Sequence, residues 1–466
     1  MDNNASTIAA ISTPSGTGGI GVIKISGPKS HRVAEKLFRV KKTNTEHSRC
    51  PAFIPGKIYV GHIISHRTDH IIDEALIFCM KGPRSYTGED LVEIQTHSGQ
   101  VVLQSILEEV YSLGITPAQP GEFTKRAFLN GRMDLTQAES VIDLIHSKNQ
   151  AAAQAAINQV TGSAGKLYDA LTDQLIQILS LMEAEIDFSE DINDQSGTTE
   201  MLTLLEDNLL PAITDLLSTY AMHHHVRDGV NIVIAGSPNV GKSSLMNCLL
   251  DKDKSIVTDI PGTTRDIVDD TFFLNGQPIL ISDTAGLQDT SDPVEIIGIE
   301  RAKAHINLAD IILFVLDISQ SITPAQIQSC RELKSDNTIL VLNKEDLLSP
   351  DIQPDLSAID SSTPRVIISA KHRTGISDLL KIISLFLNQY PSEATNIFVP
   401  TLRQKSILEQ IIDKLHLIID TIKQTGYLEV AVIDVKDCID LFYEITGKTQ
   451  NIDILENIFN QFCIGK

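Results

Sequence analysis

Apolar residues along this 466-residue chain fall into four successive textures, each predicting a different kind of structure. From residue 7 to about residue 119, short apolar runs such as IGVIKIS, EALIFCM and LVEIQTH are broken by Gly and Pro. That pattern predicts an α+β domain over residues 1–119. From 120 to 227 the apolar positions move to three- and four-residue intervals, as in LTQAESVIDLIHS and KLYDALTDQLIQILSLMEAEIDF, the mark of amphipathic helix. Pro120 and Gly121 punctuate the change. Over 228–391 the runs NIVIAG, ILISDTAG, DIILFVLDIS, TILVLNKED and RVIISA are apolar throughout, with helical stretches at 295–308 and 374–389 between them. Strands of that kind alternating with helices predict a doubly wound, mostly parallel sheet covered on both faces. Helical spacing returns over 392–466. The expected architecture is an α/β domain inserted into an all-helical domain, preceded by an α+β N-terminal domain; insertion at an exposed loop is physically tolerated.

Charge and cysteine usage narrow the function classes. The formal net charge is -22, which argues against a broad basic surface for gripping nucleic acid. The densest positive run, residues 29–42 with Lys36, Arg39 and Lys41, reads as a solvated helix face and loop. Six cysteines stand singly, with no CxxC pair, so neither a zinc site nor a disulfide framework is expected. The consecutive His223, His224 and His225 read as polar linker rather than spaced metal ligands. The first residues lack a basic region followed by an apolar core, and no apolar run approaches the ~18 residues of a membrane span, so a cytoplasmic location is expected.

The α/β zone carries the chemistry. GSPNVGKS at 236–243 fits G-x4-G-K-S, follows the strand NIVIAG and leads into helical SSLMNCLL. Small residues there let backbone amides wrap phosphates at a helix N-terminus; Asn239, Val240, Gly241 and Ser244 belong to that cradle, Lys242 supplies charge, and the Ser243 hydroxyl suits magnesium. Asp283, Thr284, Ala285 and Gly286 form DTAG after a second strand, with Asp283 placed to hold magnesium through water and Gly286 to sense the γ-phosphate. Asn343, Lys344 and Asp346 of NKED select the base, because a carboxylate at Asp346 can accept from guanine N1–H and the 2-amino group, which adenine does not offer. Ser369, Ala370 and Lys371 would donate backbone N–H to guanine O6. Between the first two motifs, the loop through Thr258, Asp259, Ile260, Pro261, Gly262, Thr263 and Thr264 is polar enough to be a switch, with Thr264 the second magnesium-side hydroxyl. Leu287 stands where Ras-type GTPases place the water-orienting Gln, and no arginine finger can be assigned. Some substitute cation or partner is required.

GSPNVGKSSLMN, IPGTTRD, DTAGLQDTSDPVEIIGIERA and the segment FCIGK together resemble the MnmE/TrmE family of tRNA-modification GTPases along essentially the whole chain. The resemblance implies that potassium replaces the arginine finger, held by the Asn239 side chain and by carbonyls of Thr258, Ile260 and Thr263. It assigns the orienting acid to Glu295, which by position alone would be a first-turn helix glutamate. It also implies a dimerising N-terminal domain that takes 5-formyltetrahydrofolate at Lys24, Glu93, Arg132 and Lys466. Lysine at the first of these, where the family often has arginine, keeps the charge but loses the bidentate fork. Cys463 is the family's proposed chemical residue. The implied role is addition of a carboxymethylaminomethyl or aminomethyl group to C5 of the wobble uridine of tRNA, jointly with the FAD- and NADH-using partner MnmG, in a homodimer. Two other readings stay open: a GTP-dependent switch without chemistry of its own, and an Era/Der-like ribosome-assembly GTPase. Against the latter, neither a second G-x4-G-K-S nor a GXXG-type RNA module occurs.

Overall fold

The structure is a computed structural model describing residues 6–14, 16, 18–41, 47–49, 53–187, 196–250, 270–275, 277–283, 306, 309–333, 336–348, 359, 362–387, 398–449 and 452–466. The chain divides into two compact units, one of residues 1–146, 156–214 and 406–466, the other of residues 147–155 and 215–405. The second is thus set within the sequence of the first.

The first unit opens with β1 Ile8–Ile11, β2 Gly21–Ser26, β3 Phe38–Lys41, β4 His47–Arg49, β5 Ile58–Ile64, β6 Ile71–Met80, β7 Leu91–Thr96 and β8 Thr116–Pro117. They form one sheet in the order β4-β3-β5-β6-β7-β2-β1-β8, antiparallel except where β8 joins β1. Because successive strand residues face opposite ways, Ile23, Ile25, Ile77 and Ile94 lie on one face, packed with Val33, Leu37, Ile106 and Val110 of helices Ser30–Leu37 and Gln100–Ser112. Lys24 and Glu93, one residue out of phase with that apolar set, are directly paired across β2 and β7.

The helical part follows the three-and-four spacing. Helix Ser163–Asp187 packs on helix Leu428–Thr446, with the buried rings of Tyr168 and Phe442 centred 6.1 Å apart. That second helix ends at Gly447, φ 80°, where a Cβ would lie 2.7 Å from the Phe128 ring; only glycine serves as this left-handed cap.

In the second unit β9 Val230–Ala235, β10 Asp270–Leu274, β11 Gln277–Asp283, β12 Ile311–Asp317, β13 Thr338–Asn343 and β14 Arg365–Ile367 are ordered β10-β11-β9-β12-β13-β14. All neighbours are parallel except β10 with β11. Ile232, Leu313 and Val341 pack with Leu245, Leu249 and Ile383 from helices Lys242–Leu250 and Ile376–Leu387. On the opposite face Val233, Phe314 and Leu340 meet Cys330 of helix Pro324–Arg331. Both faces are covered, as expected of a doubly wound sheet.

One expectation is corrected. The histidine triplet is not a loose linker but part of helix Leu210–Asp228, with the His225 carbonyl accepting from Gly229 N at 2.9 Å. His225 is buried and His224 stacks on Tyr220 at 5.0 Å, so imidazole serves here as a flat, partly apolar packing group. The helical stretch expected at 295–308 lies outside the described residues except residue 306. No helix among the described residues is long and apolar enough to cross a membrane.

Candidate functional site

The phosphate loop begins where β9 ends. Gly236 (φ 146°) and Gly241 (φ 98°) occupy backbone conformations closed to most side chains, and a Cβ on Gly236 would sit 2.4 Å from the Val315 carbonyl oxygen. Asn239, also left-handed at φ 62°, completes the turn, so the glycines and the asparagine of the motif are required by the path of the chain itself. A cleft of about 730 Å³ opens above this loop. Pro238, Asn239, Gly241, Lys242, Ser243 and Ser244 line one side; Asn343, Lys344, Asp346, Leu347, Ala370 and Lys371 line the other. Three of the motifs predicted to bind the nucleotide therefore meet at the carboxyl ends of parallel strands, where doubly wound sheets take their ligands.

Lys242 is buried, and its ammonium donates to the Gly236 and Ser237 carbonyls, each at 3.0 Å. Positive charge is held over the loop where phosphates would seat. Ser243 opens the helix and faces the cleft, and Asp283 ends β11 beside the end of β9. The Ser243 hydroxyl is a hard oxygen donor of the kind magnesium takes.

On the other side of the cleft, Asp346 accepts from the Ser369 hydroxyl, and His372 Nε2 stands 3.7 Å from its other oxygen. The Ser369 hydrogen bond, outweighing desolvation, and the His372 and Lys371 charges hold this carboxyl below the usual range. It remains an acceptor at neutral pH, as guanine recognition demands. Asn343 lines the cleft with Lys344 and Asp346 and is 2 % exposed; it donates through Nδ2 to the Val240 carbonyl (2.8 Å) and accepts from Ala370 N (3.0 Å). Its amide ties the phosphate loop to the 369–371 loop. Cys248 adds a second tie, its thiol donating to the Ala370 carbonyl at 2.9 Å. Sequence reasoning also missed Asp317, which pairs with Lys344 at 2.6 Å, although an acid ending a strand at the same end of the sheet as NKED was a usable signal.

Thr258, Asp259, Ile260, Pro261, Gly262, Thr263, Thr264, Thr284, Ala285, Gly286 and Glu295 lie outside the described residues. Among the residues assigned to potassium only Asn239 is described.

A second constellation lies in the first unit. Lys24 lies over the Tyr86 ring at 5.3 Å, and Tyr86 is anchored by a 2.9 Å hydroxyl contact with Thr124. Phe123 N donates to the Lys466 carbonyl oxygen at 3.2 Å, and a Cβ on Gly465 would lie 2.2 Å from the Ile11 carbonyl oxygen; the CIGK segment is thereby seated against β1. Burial and the Lys466 charge lower the Lys24 pKa, opposed by Glu93. Two lysines beside one carboxylate suit a ligand with both an anionic tail and a donor-rich ring. Arg132 is exposed and donates from Nε to the Ser85 carbonyl at 3.3 Å, one residue from Tyr86. Cys463 is exposed.

The comparisons with known proteins agree with this layout. The family model for the GTP-binding protein TrmE N-terminus matches residues 7–132, and that for the MnmE helical domain matches 135–463. The tRNA modification GTPase MnmE of Natranaerobius thermophilus is 40% identical over 461 residues, covering 99% of both chains. That of Carboxydothermus hydrogenoformans is 38% identical over 463 residues, again covering 99% of each. The same protein of Caldicellulosiruptor saccharolyticus is 40% identical over 463 residues. Neither half of the chain is left without a counterpart in these relatives: the chain belongs to the MnmE (TrmE) family of tRNA modification GTPases, and its enzymatic activity is the hydrolysis of GTP.

Proposed function

We propose that this chain is a potassium-activated GTPase that works with the FAD-containing protein MnmG, which draws electrons from NADH, to place an aminomethyl-type group on C5 of the wobble uridine of certain tRNAs. The observation carrying this reading is the seating of the CIGK segment beside Lys24 and Glu93, in a different unit from the nucleotide cleft. A protein that only hydrolysed GTP would have no use for that second, lysine-lined constellation. It suits 5-formyltetrahydrofolate as one-carbon donor, with Lys24, Lys466 and Arg132 toward the anionic tail and Glu93 toward the donor edge of the pterin.

In the nucleotide cleft, Lys242 and the loop amides bind the phosphates, Ser243 and Thr264 serve magnesium, and Asp346 fixes the base. Potassium, when bound through Asn239 and the Thr258, Ile260 and Thr263 carbonyls, supplies the positive charge that an arginine finger gives elsewhere. Glu295 orients the attacking water. The net charge of -22 favours MnmG as the source of most tRNA contacts, within a complex built on a homodimer of this chain. Strong, salt-sensitive tRNA binding by this chain alone would refute that division of labour.

Nucleoside mass spectrometry of tRNA from cells lacking the protein tests the pathway: C5-modified wobble uridine should disappear, and its persistence would overturn the proposal. GTP turnover should be much faster in potassium than in sodium chloride at equal ionic strength; equal rates would remove the cation assignment. Cys463→Ser should abolish modification while sparing GTP hydrolysis. Undiminished modification would favour a switch without chemistry of its own.

A further inference from the structure

The segment that follows β12 touches both halves of the nucleotide cleft without lining it. Asp317 closes β12 and is the register partner of Asn343 on the neighbouring parallel strand, so its carboxylate emerges beside Lys344. Both of its oxygens are committed. Oδ2 accepts from the Lys344 ammonium at 2.6 Å, and Oδ1 accepts from the Ser319 amide at 3.0 Å and the Ser319 hydroxyl at 2.6 Å. Nine residues on, Gln326 Nε2 donates to the Ser237 hydroxyl of the phosphate loop at 3.3 Å. The Asp317 side chain is 10% exposed and that of Lys344 28%, so this is no rim pair dissolved by solvent screening. Although burial alone would raise it, the Lys344 and Ser319 contacts hold the Asp317 carboxyl below its usual range.

A lysine held only at its Cα sweeps many rotamers, and ordering it against a ligand costs on the order of 1.5–2 kcal/mol of rotamer entropy. Here the backbone at Lys344 is left-handed, φ 69°, and the far end of the side chain is tied down. With both ends fixed, the four-carbon stem is a standing wall of the slot that Asp346 faces. We propose that Asp317 is a positioning residue for guanine-nucleotide binding: by anchoring the Lys344 ammonium, with Ser319 fixing Asp317 in turn, it orders the wall against which the base lies before the base arrives. Preorganisation of this kind acts on ground-state nucleotide binding rather than on the chemical step.

The test is release of a fluorescent GDP analogue from the full chain, with steady-state GTP kinetics alongside. Asp317→Asn keeps the acceptor for Ser319 and the side-chain volume but loses the charge. It should speed GDP release about tenfold and raise KM for GTP, with kcat within about twofold. Lys344→Met keeps the stem and removes the anchor, so it should act alike. In the Lys344→Met background, Asp317→Asn should then add less than about twofold. Wild-type release rates for Asp317→Asn would overturn the proposal. So would a full tenfold effect persisting in the Lys344→Met background, because Asp317 would then act on the end of the strand and not through Lys344.

Discussion

Replacing Asn343 with Ala isolates the brace that joins the two halves of the nucleotide cleft. The wild-type amide donates to the Val240 carbonyl and accepts from the Ala370 amide, at a residue 2 % exposed whose partners are 3 % and 5 % exposed. The substitution leaves one buried acceptor and one buried donor unpaired, each costing about 1–3 kcal/mol. Gly241 lies so close that its added Cβ would sit 2.3 Å from the Asn343 amide nitrogen, and the space vacated there lets water approach one of the orphaned groups. The lower half of the range therefore applies, giving about 3 kcal/mol, or about a hundredfold in the equilibrium for local opening. Hydrogen exchange read by mass spectrometry on the full chain should show that loss of protection in peptides covering 236–250 and 365–375. Peptides from the N-terminal sheet should be unchanged, and GDP binding should weaken in parallel. Exchange at Ala370 equal to wild type, with GDP affinity within twofold, would show that the brace carries no such weight.

Asp346→Asn should weaken GTP binding about 10- to 100-fold, since a charged acceptor is lost, and shift relative preference toward xanthosine triphosphate. Competition binding of the two nucleotides reads this directly, and an unchanged preference would reassign base recognition. Iodoacetamide at pH 8 should modify exposed Cys463 while sparing Cys79, Cys248 and Cys438; burial pushes the Cys438 thiol up to about 12. Mass mapping of the alkylated chain checks it, and rapid labelling of Cys438 would contradict its burial. At the second constellation, an anionic ligand needs Lys24 protonated, and burial with the Lys466 charge lowers that pKa. Binding of 5-formyltetrahydrofolate should therefore fall as pH rises through the lowered value, sooner than for an ordinary lysine. A calorimetric titration flat from pH 7 to about 10 would take Lys24 out of the contact.

The sheet of the nucleotide unit was legible because its parallel strands are buried on both faces, so each appears as an unbroken β-branched run ended by its motif. β10 was not anticipated: its sequence, DTFFL, is short and half polar, being an antiparallel edge strand, and the Asn275-Gly276 pair after it was the available hairpin signal. Spacing could place Asn343 in the cleft but not give it its task, because its partners Val240 and Ala370 lie on other segments of the chain. The same holds for Lys24 and Lys466. Their approach depends on Gly465 fitting against the Ile11 carbonyl, a contact no local pattern encodes. The histidine triplet misled because polarity was read as exposure, whereas imidazole packs well in a helix.

The order in which the two units are completed follows from their interleaving. Residues 215–405 are all made before any of residues 406–466, so on the ribosome the nucleotide unit is whole while the first unit still lacks its last 61 residues. At about 5–20 residues per second that lag is roughly 3–12 seconds, long compared with the folding of most single domains. Synthesis of the nucleotide unit is therefore complete before helix Leu428–Thr446 is available to helix Ser163–Asp187 and before Lys466 is available to Lys24. Truncation anywhere in the last segment removes Lys466 and leaves the second constellation unbuilt while every residue of the nucleotide unit is retained, so a turnover assay alone is a poor measure of an intact chain.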